Sequence, residues 1–129
     1  SLIGTKYNAE VAAIINIDGV LAFHHSESSE GKYAALWLGG TYEEIPDIWN
    51  DASALFHTNE KTPSILFINS QHDRFHAGRN DMIEVLNKYK IYSRVETITN
   101  SPHTFWLFDP WFDKTVEYTI DFLNEKLKS

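Results

Sequence analysis

The stretch PSILFINSQHDRFHAGR, residues 63–79, shows how this 129-residue chain is built. It opens with a proline, continues as a short apolar run over residues 64–69 and then turns polar at once. A run of this length, rich in β-branched residues and bounded by turn formers, favours a buried strand over a helix. A similar run covers residues 11–17 and stops at Asp18-Gly19. A third, at residues 94–98, alternates more and is typical of a strand near a sheet edge.

Apolar residues at helical spacing lie between and after these strands. They predict one helix over residues 78–90 and a C-terminal helix with Asp109 as N-cap and Pro110 in its first turn. The stripe of the C-terminal helix is Phe112, Val116, Ile120, Leu123 and Leu127. Residues 33–38 and 45–56 are both compatible with helices, with a Gly-Gly break between them.

The order of these elements predicts a single α/β domain over residues 1–129, with about three parallel strands and flanking helices. Phe108 and Phe112 are expected to cover the sheet. The first strand is expected to leave an open edge, which predicts either a homodimer or a missing part of a larger sheet.

Composition and charge exclude several classes of function. Lys and Arg number 11 against 18 Asp and Glu, and this net charge of −7 disfavours a binder of nucleic acid. No apolar run reaches the roughly 18 residues of a membrane span, and no signal peptide is predicted at the start. The absence of cysteine excludes disulfides, thiolate metal sites and a Cys nucleophile.

Polar residues follow the predicted strands, at the edge where parallel sheets carry their sites. Asp73 follows the second strand and His103 follows the third, 30 residues later. A carboxylate that holds Nδ1–H of a histidine, with Nε2 free as a base, is the orienting half of a hydrolytic triad. The plainer alternative is that Asp73 forms a turn and His103 is an ordinary loop residue.

Other chemistries have weaker support in the sequence. The nucleophile pattern G-x-S-x-G is absent from these 129 residues, as are the glycine-rich nucleotide-binding patterns. His72 and His76 are four residues apart but lie in a predicted loop, so no metal site is expected. Phe75 and Trp106 lie close to the polar pair in sequence, which is typical of the apolar wall of a ligand pocket.

Residues 63–79, together with the later segment SPHTFW at residues 101–106, resemble the C-terminal part of α/β-hydrolase esterases and lipases. The likeness is to the branch found among bacterial polysaccharide-degrading enzymes, including acetyl xylan and pectin acetyl esterases. In that family the acid follows the penultimate strand and the histidine follows the last one. Asp73 and His103 match these positions, and Phe75 and Trp106 would border the substrate.

The resemblance implies that the chain is the C-terminal portion of an α/β-hydrolase fold whose nucleophile elbow lies upstream. The parent would be a serine carboxylesterase that needs no metal or organic cofactor. Its substrate would be a small, short-chain acyl ester, such as an acetylated plant cell-wall sugar. The 129 residues alone are expected to be inactive. The alternative is a non-catalytic α/β domain that binds a carbohydrate or a protein partner.

Overall fold

The computed structural model describes residues 1–7 and 11–128. Three strands lie among five helices, and three short 3-10 turns complete the regular structure of this part of the chain. The strands are β1 (Ala13–Ile17), β2 (Ser64–Asn69) and β3 (Ser93–Thr97). The helices are α1 (Leu2–Lys6), α2 (Gly31–Leu38), α3 (Pro46–Asp51), α4 (Arg79–Lys88) and α5 (Trp111–Leu127). The 3-10 turns are Ala54–His57, Asp73–His76 and Phe105–Leu107. None of these helices is long and apolar enough to span a membrane.

The strands form one parallel sheet in the order β1-β2-β3. This confirms the predicted α/β class, and it places β1 and β3 at the two edges. In the register, Ile17 at the end of β1 pairs with Ile68 of β2, and Asn69 pairs with Thr97 of β3. The carboxyl ends of all three strands therefore meet at one edge of the sheet.

The central strand supplies both halves of the core because successive side chains of a strand point to opposite faces. Ile65 and Phe67 pack on the α4 side of the sheet, against residues that include Met82 and Leu86. Leu66 and Ile68 pack on the other side, against Ile98, Phe105 and Phe122. All four strand side chains are fully buried, which explains why this stretch is a continuous apolar run.

The C-terminal helix corrects two predictions. It begins at Trp111, with Pro110 as N-cap, so Asp109 lies outside it. Phe108 and Phe112 were expected to cover the sheet, but they are 54% and 47% exposed. The helix instead buries Thr115 and Phe122. Much of its apolar stripe lines an open groove beside Ile17, where the sheet ends and no described strand continues it.

Candidate functional site

Three loops meet at the carboxyl edge of the sheet. The first loop, residues 18–22, follows β1. The second loop, residues 70–78, follows β2, and the third loop, residues 98–104, follows β3. Backbone N–H groups of Leu21 and Ala22 donate to the carbonyl oxygen of Ala77 at 3.0 and 3.1 Å, which joins the first two loops. Gly78 adopts a φ of 82°, and a Cβ there would lie 2.9 Å from Cβ of Ala22.

The side chain of Gln71, in the second loop, hydrogen-bonds to the backbone of the third loop. The amide of Gln71 accepts from the backbone N–H of Ser101 at 3.3 Å and donates to its carbonyl oxygen at 3.4 Å. The hydroxyl of Ser101 donates to the carbonyl oxygen of Ile98 at 2.7 Å. These contacts fix the backbone at Ser101, two residues before His103, and so restrict where the side chain of His103 can lie.

His103 is paired with Asp18. Its Nδ1 lies 2.8 Å from Oδ2 of Asp18. Because a carboxylate accepts hydrogen bonds, this contact places the imidazole proton on Nδ1 and leaves the lone pair on Nε2. No described residue hydrogen-bonds to Nε2, and the His103 side chain is 36% exposed. The carboxylate beside His103 is thus that of Asp18, and not that of Asp73 as the sequence predicted.

Asp18 is a buried carboxylate with a full set of donors. Its side chain is 0% exposed. The backbone N–H of Ser70 donates to Oδ1 at 2.8 Å, and the hydroxyl of Ser70 donates to Oδ2 at 2.7 Å. The backbone of Asp18 has a φ of 46°, a left-handed value that asparagine and aspartate tolerate better than most residues. Burying a charge is costly unless the charged group is hydrogen-bonded, so these donors offset the cost of removing the Asp18 carboxylate from water.

The structure does not bring Asp73 to His103. The Asp73 side chain is 82% exposed and opens the 3-10 turn of the second loop. Its charged contact is with Nε2 of His76, at 3.6 Å. Asp73 occupies the predicted strand-end position, but the turn that follows β2 directs its carboxylate to solvent.

Phe75 and Trp106 both contact the ring of His103. Phe75 stacks on it with ring centroids 3.6 Å apart and planes 13° from parallel. Trp106 meets it edge to face at 5.3 Å. The two aromatic residues singled out in the sequence therefore confine the imidazole on two sides. They stand where a pocket wall would be, and they also restrict the rotation of His103.

The second loop contains another buried histidine. His76 has a side chain only 6% exposed. Burial lowers the pKa of His76, and the nearby positive charge of Arg79 lowers it further. Among the described residues, no group of three or more His, Cys, Asp or Glu side chains is placed to hold a metal ion.

Solved structures supply the comparison for this fold. An acylaminoacyl peptidase in complex with Z-Gly-Gly-Phe-chloromethyl ketone matches with a TM-score of 0.76 and 16% identity, over 99% of this chain and 22% of that one. The acylaminoacyl peptidase of Pyrococcus horikoshii matches with a TM-score of 0.69 and 15% identity, over 92% and 20%. The chain has the fold of the C-terminal portion of an α/β-hydrolase.

An α/β-hydrolase of a different activity also matches. A truncated carbohydrate esterase from gut microbiota aligns with a TM-score of 0.62 and 20% identity, over 85% of this chain and 42% of that one. The chain thus spans less than half the length of these hydrolases. No family model and no curated protein sequence matches it.

Asp18 was not singled out by the sequence, although its signal was present. It directly follows a predicted strand, as Asp73 does, and both lie at strand ends where sites collect, but the sequence pairs His103 with the acid that follows the preceding strand. The family resemblance favoured Asp73. Ser70, the donor that would have identified Asp18, is 52 residues further along the chain.

Proposed function

We propose that this chain supplies the histidine base and its carboxylate partner to a serine hydrolase that cleaves carboxylic esters. The observation that carries the proposal is the 2.8 Å contact between Nδ1 of His103 and Oδ2 of the buried Asp18. An oriented imidazole at the carboxyl edge of a parallel sheet, within an α/β-hydrolase fold, is what acyl transfer to a serine requires.

In this proposal the serine nucleophile and the oxyanion donors come from outside residues 1–129. Nε2 of His103 takes the serine proton as Oγ attacks the ester carbonyl carbon. It then gives that proton to the departing alcohol, and the acyl group remains bound to the serine as an acyl-enzyme. Water, deprotonated by the same Nε2, attacks the acyl carbon, and the proton then passes from Nε2 to the departing serine Oγ as the acid is released. Asp18 keeps Nδ1 protonated and stabilises the imidazolium between these steps.

The proposed substrate is a short-chain acyl ester, with an acetyl group on a plant cell-wall sugar as the leading example. Support comes from the likeness of residues 63–79 and 101–106 to acetyl esterases of polysaccharide-degrading bacteria. The fold neighbour that is a carbohydrate esterase points in the same direction. The aromatic rings of Phe75 and Trp106 beside His103 leave an apolar border suited to a small acyl group.

The test is an ester-hydrolysis assay on the protein encoded by the complete reading frame that contains this chain. p-Nitrophenyl acetate, butyrate and octanoate serve as probes, followed by release of acetate from acetylated xylan. We expect hydrolysis of the short esters, and we expect His103→Ala to lower kcat by about ten-thousand-fold. The 129-residue chain by itself should show no turnover.

His24→Ala is the matched control, because His24 is an exposed histidine whose contact is a stack on Tyr42 rather than a carboxylate. It should leave kcat within about twofold, as surface substitutions usually do. Equal activity of His103→Ala and wild type would overturn the proposal.

A second candidate function, binding of a carbohydrate, is favoured by one observation. An open cleft of about 550 Å³ is lined by Phe23, Glu30 and the exposed rings of Tyr33 and Trp37 on α2. Aromatic faces beside a carboxylate are suited to stacking and hydrogen bonding with a sugar ring. If the assay shows no hydrolysis, saturable binding of xylo-oligosaccharides that Trp37→Ala weakens would support this function instead.

A further inference from the structure

Ser70 connects the second loop to the Asp18 carboxylate of the Asp18–His103 pair. It directly follows β2 and is only 1% exposed. The register of the sheet explains its position, because Ile17 pairs with Ile68 and the residues that follow the two strands meet beyond them. Ser70 is not a nucleophile candidate, since its hydroxyl is buried against Asp18.

The hydroxyl of Ser70 is oriented by a hydrogen bond that it accepts from the backbone of His72. The backbone N–H of His72 donates to Oγ of Ser70 at 3.3 Å, and Oγ donates to Oδ2 of Asp18 at 2.7 Å. With its lone pair engaged by the amide, the hydroxyl proton is directed toward the carboxylate. The same Oδ2 receives Nδ1–H of His103. Ser70 and His103 therefore share one acceptor atom.

The backbone of Ser70 holds the other carboxylate oxygen. Its N–H donates to Oδ1 of Asp18 at 2.8 Å. Two donors from one residue, one on each oxygen, fix both the plane and the rotation of the carboxylate group. The direction in which Oδ2 presents a lone pair to Nδ1 of His103 therefore depends on the second loop, and not on the rotamer preference of Asp18 alone.

We propose that Ser70 is a positioning residue, whose hydroxyl holds the Asp18 carboxylate in the orientation that orders His103. Its importance for catalysis rests on the function proposed above, but its effect on the hydrogen bond at Nδ1 does not. Loss of the hydroxyl leaves Oδ2 with one donor fewer and frees the carboxylate to rotate about its bond to Cβ. The Nδ1–H of His103 then exchanges with solvent more readily.

The experiment follows this proton directly by NMR on the 129-residue chain with ¹⁵N-labelled histidine. The probe is the rate at which Nδ1–H of His103 exchanges with water, together with the ¹⁵N shifts that report the tautomer. We expect Ser70→Ala to speed the exchange about tenfold, the size of one lost hydrogen bond to a charged group. Ser70→Cys keeps the branching of the side chain, with a slightly larger atom at its end, but its S–H is a weak donor, so it should behave as the alanine variant does.

Ser53→Ala is the matched control. Ser53 is also buried, donates from Oγ to a backbone oxygen at 2.8 Å and accepts from the N–H of Phe23 at 3.3 Å. It loses the same kind of hydrogen bonds without touching Asp18, so it should leave the Nδ1–H exchange rate unchanged. A general loss of stability would speed exchange in both variants and would overturn the proposal.

Asp18→Asn separates this proposal from the function on which it rests. If Asp18→Asn speeds the exchange and shifts the tautomer while the Ser70 variants do not, Ser70 has no positioning role and the Asp18–His103 pair stands. If Asp18→Asn itself leaves the His103 signals unchanged, the pair is absent in solution and the proposed function fails with it. Acceleration by Asp18→Asn and by both Ser70 variants, with Ser53→Ala silent, supports the proposal.

Discussion

The first and second loops each place an aspartate after a buried parallel strand, and the two carboxylates have opposite environments. The side chain of Asp18 is fully buried and accepts three hydrogen bonds, from Ser70 and His103. That of Asp73 is 82% exposed and lies near His76. A carboxylate at a strand end thus becomes part of a site only where neighbouring loops direct donors at it. Position along the strand order is not sufficient.

The largest expected difference between the two loops is in turnover of the complete enzyme. Asp18→Asn should lower kcat by about a thousandfold to ten-thousandfold, because the amide can present a donor to Nδ1 and favour the wrong tautomer of His103. Asp73→Asn should change kcat by less than about threefold, as expected for an exposed side chain away from the base. Steady-state hydrolysis of p-nitrophenyl acetate measures both. The reverse ranking would restore Asp73, the acid predicted from the sequence.

The next difference is in stability. Asp18→Ala should reduce the free energy of unfolding of the chain by about 3 kcal/mol, because it leaves the buried donors of Ser70 without an acceptor. Asp73→Ala should change it by less than about 0.5 kcal/mol. Urea unfolding followed by circular dichroism measures both values. Equal losses would mean that the buried contacts of the first loop contribute no more than a surface turn.

The aromatic contact between the second loop and His103 should have a smaller effect. Phe75→Leu keeps an apolar side chain but removes the ring that stacks on the imidazole at 3.6 Å. We expect kcat to fall about threefold to tenfold, the worth of an aromatic pair, with KM nearly unchanged. A rise in KM at constant kcat would instead assign Phe75 to substrate binding, as the sequence predicted. The split between the two constants decides the role.

The smallest effect concerns the buried histidine of the second loop. Since burial lowers the pKa of His76 in the folded chain, the unfolded chain binds its proton more tightly. The stability that the neutral, buried His76 allows is therefore fully present above the ordinary histidine pKa of about 6.5. It is lost as the pH falls toward the lower pKa that His76 has in the folded chain. His76→Gln should flatten the loss of stability between pH 7.5 and 5. Urea midpoints that depend on pH as steeply as those of the wild type would exclude this role.

Much of the fold could be predicted because its decisive pattern is local. Residues 64–69 form β2 as expected, since a strand buried on both faces must be apolar throughout. The helix predicted over residues 78–90 is present as Arg79–Lys88. In contrast, the exposure of Phe112 could not be predicted, because it depends on where the sheet ends. Part of its helix lines an open groove beside Ile17 of β1, and periodicity within a helix does not report what lies opposite.

Of the candidate site, the sequence could predict the position of His103, because that position follows from the order of the strands. The side chain of His103 lies where the strand order placed it, at the carboxyl edge and beside Phe75 and Trp106. The choice of Asp18 over Asp73 as its partner depends on the pairing of β1 with β2, which brings Ser70 beneath the carboxylate. Such a contact between distant segments leaves no periodic signal in the sequence.

The sequence separation of 85 between Asp18 and His103 has a consequence for folding kinetics. The pair closes a loop that contains α2, α3, β2, α4 and β3, so it forms only when that long loop closes, at a cost in chain entropy. Before that moment the Asp18 carboxylate has no imidazole to face, and water must solvate it. The contact is therefore a long-range one, of the kind that slows folding. A ribosome that has not yet released residue 103 carries a chain in which the hydrogen bond does not exist.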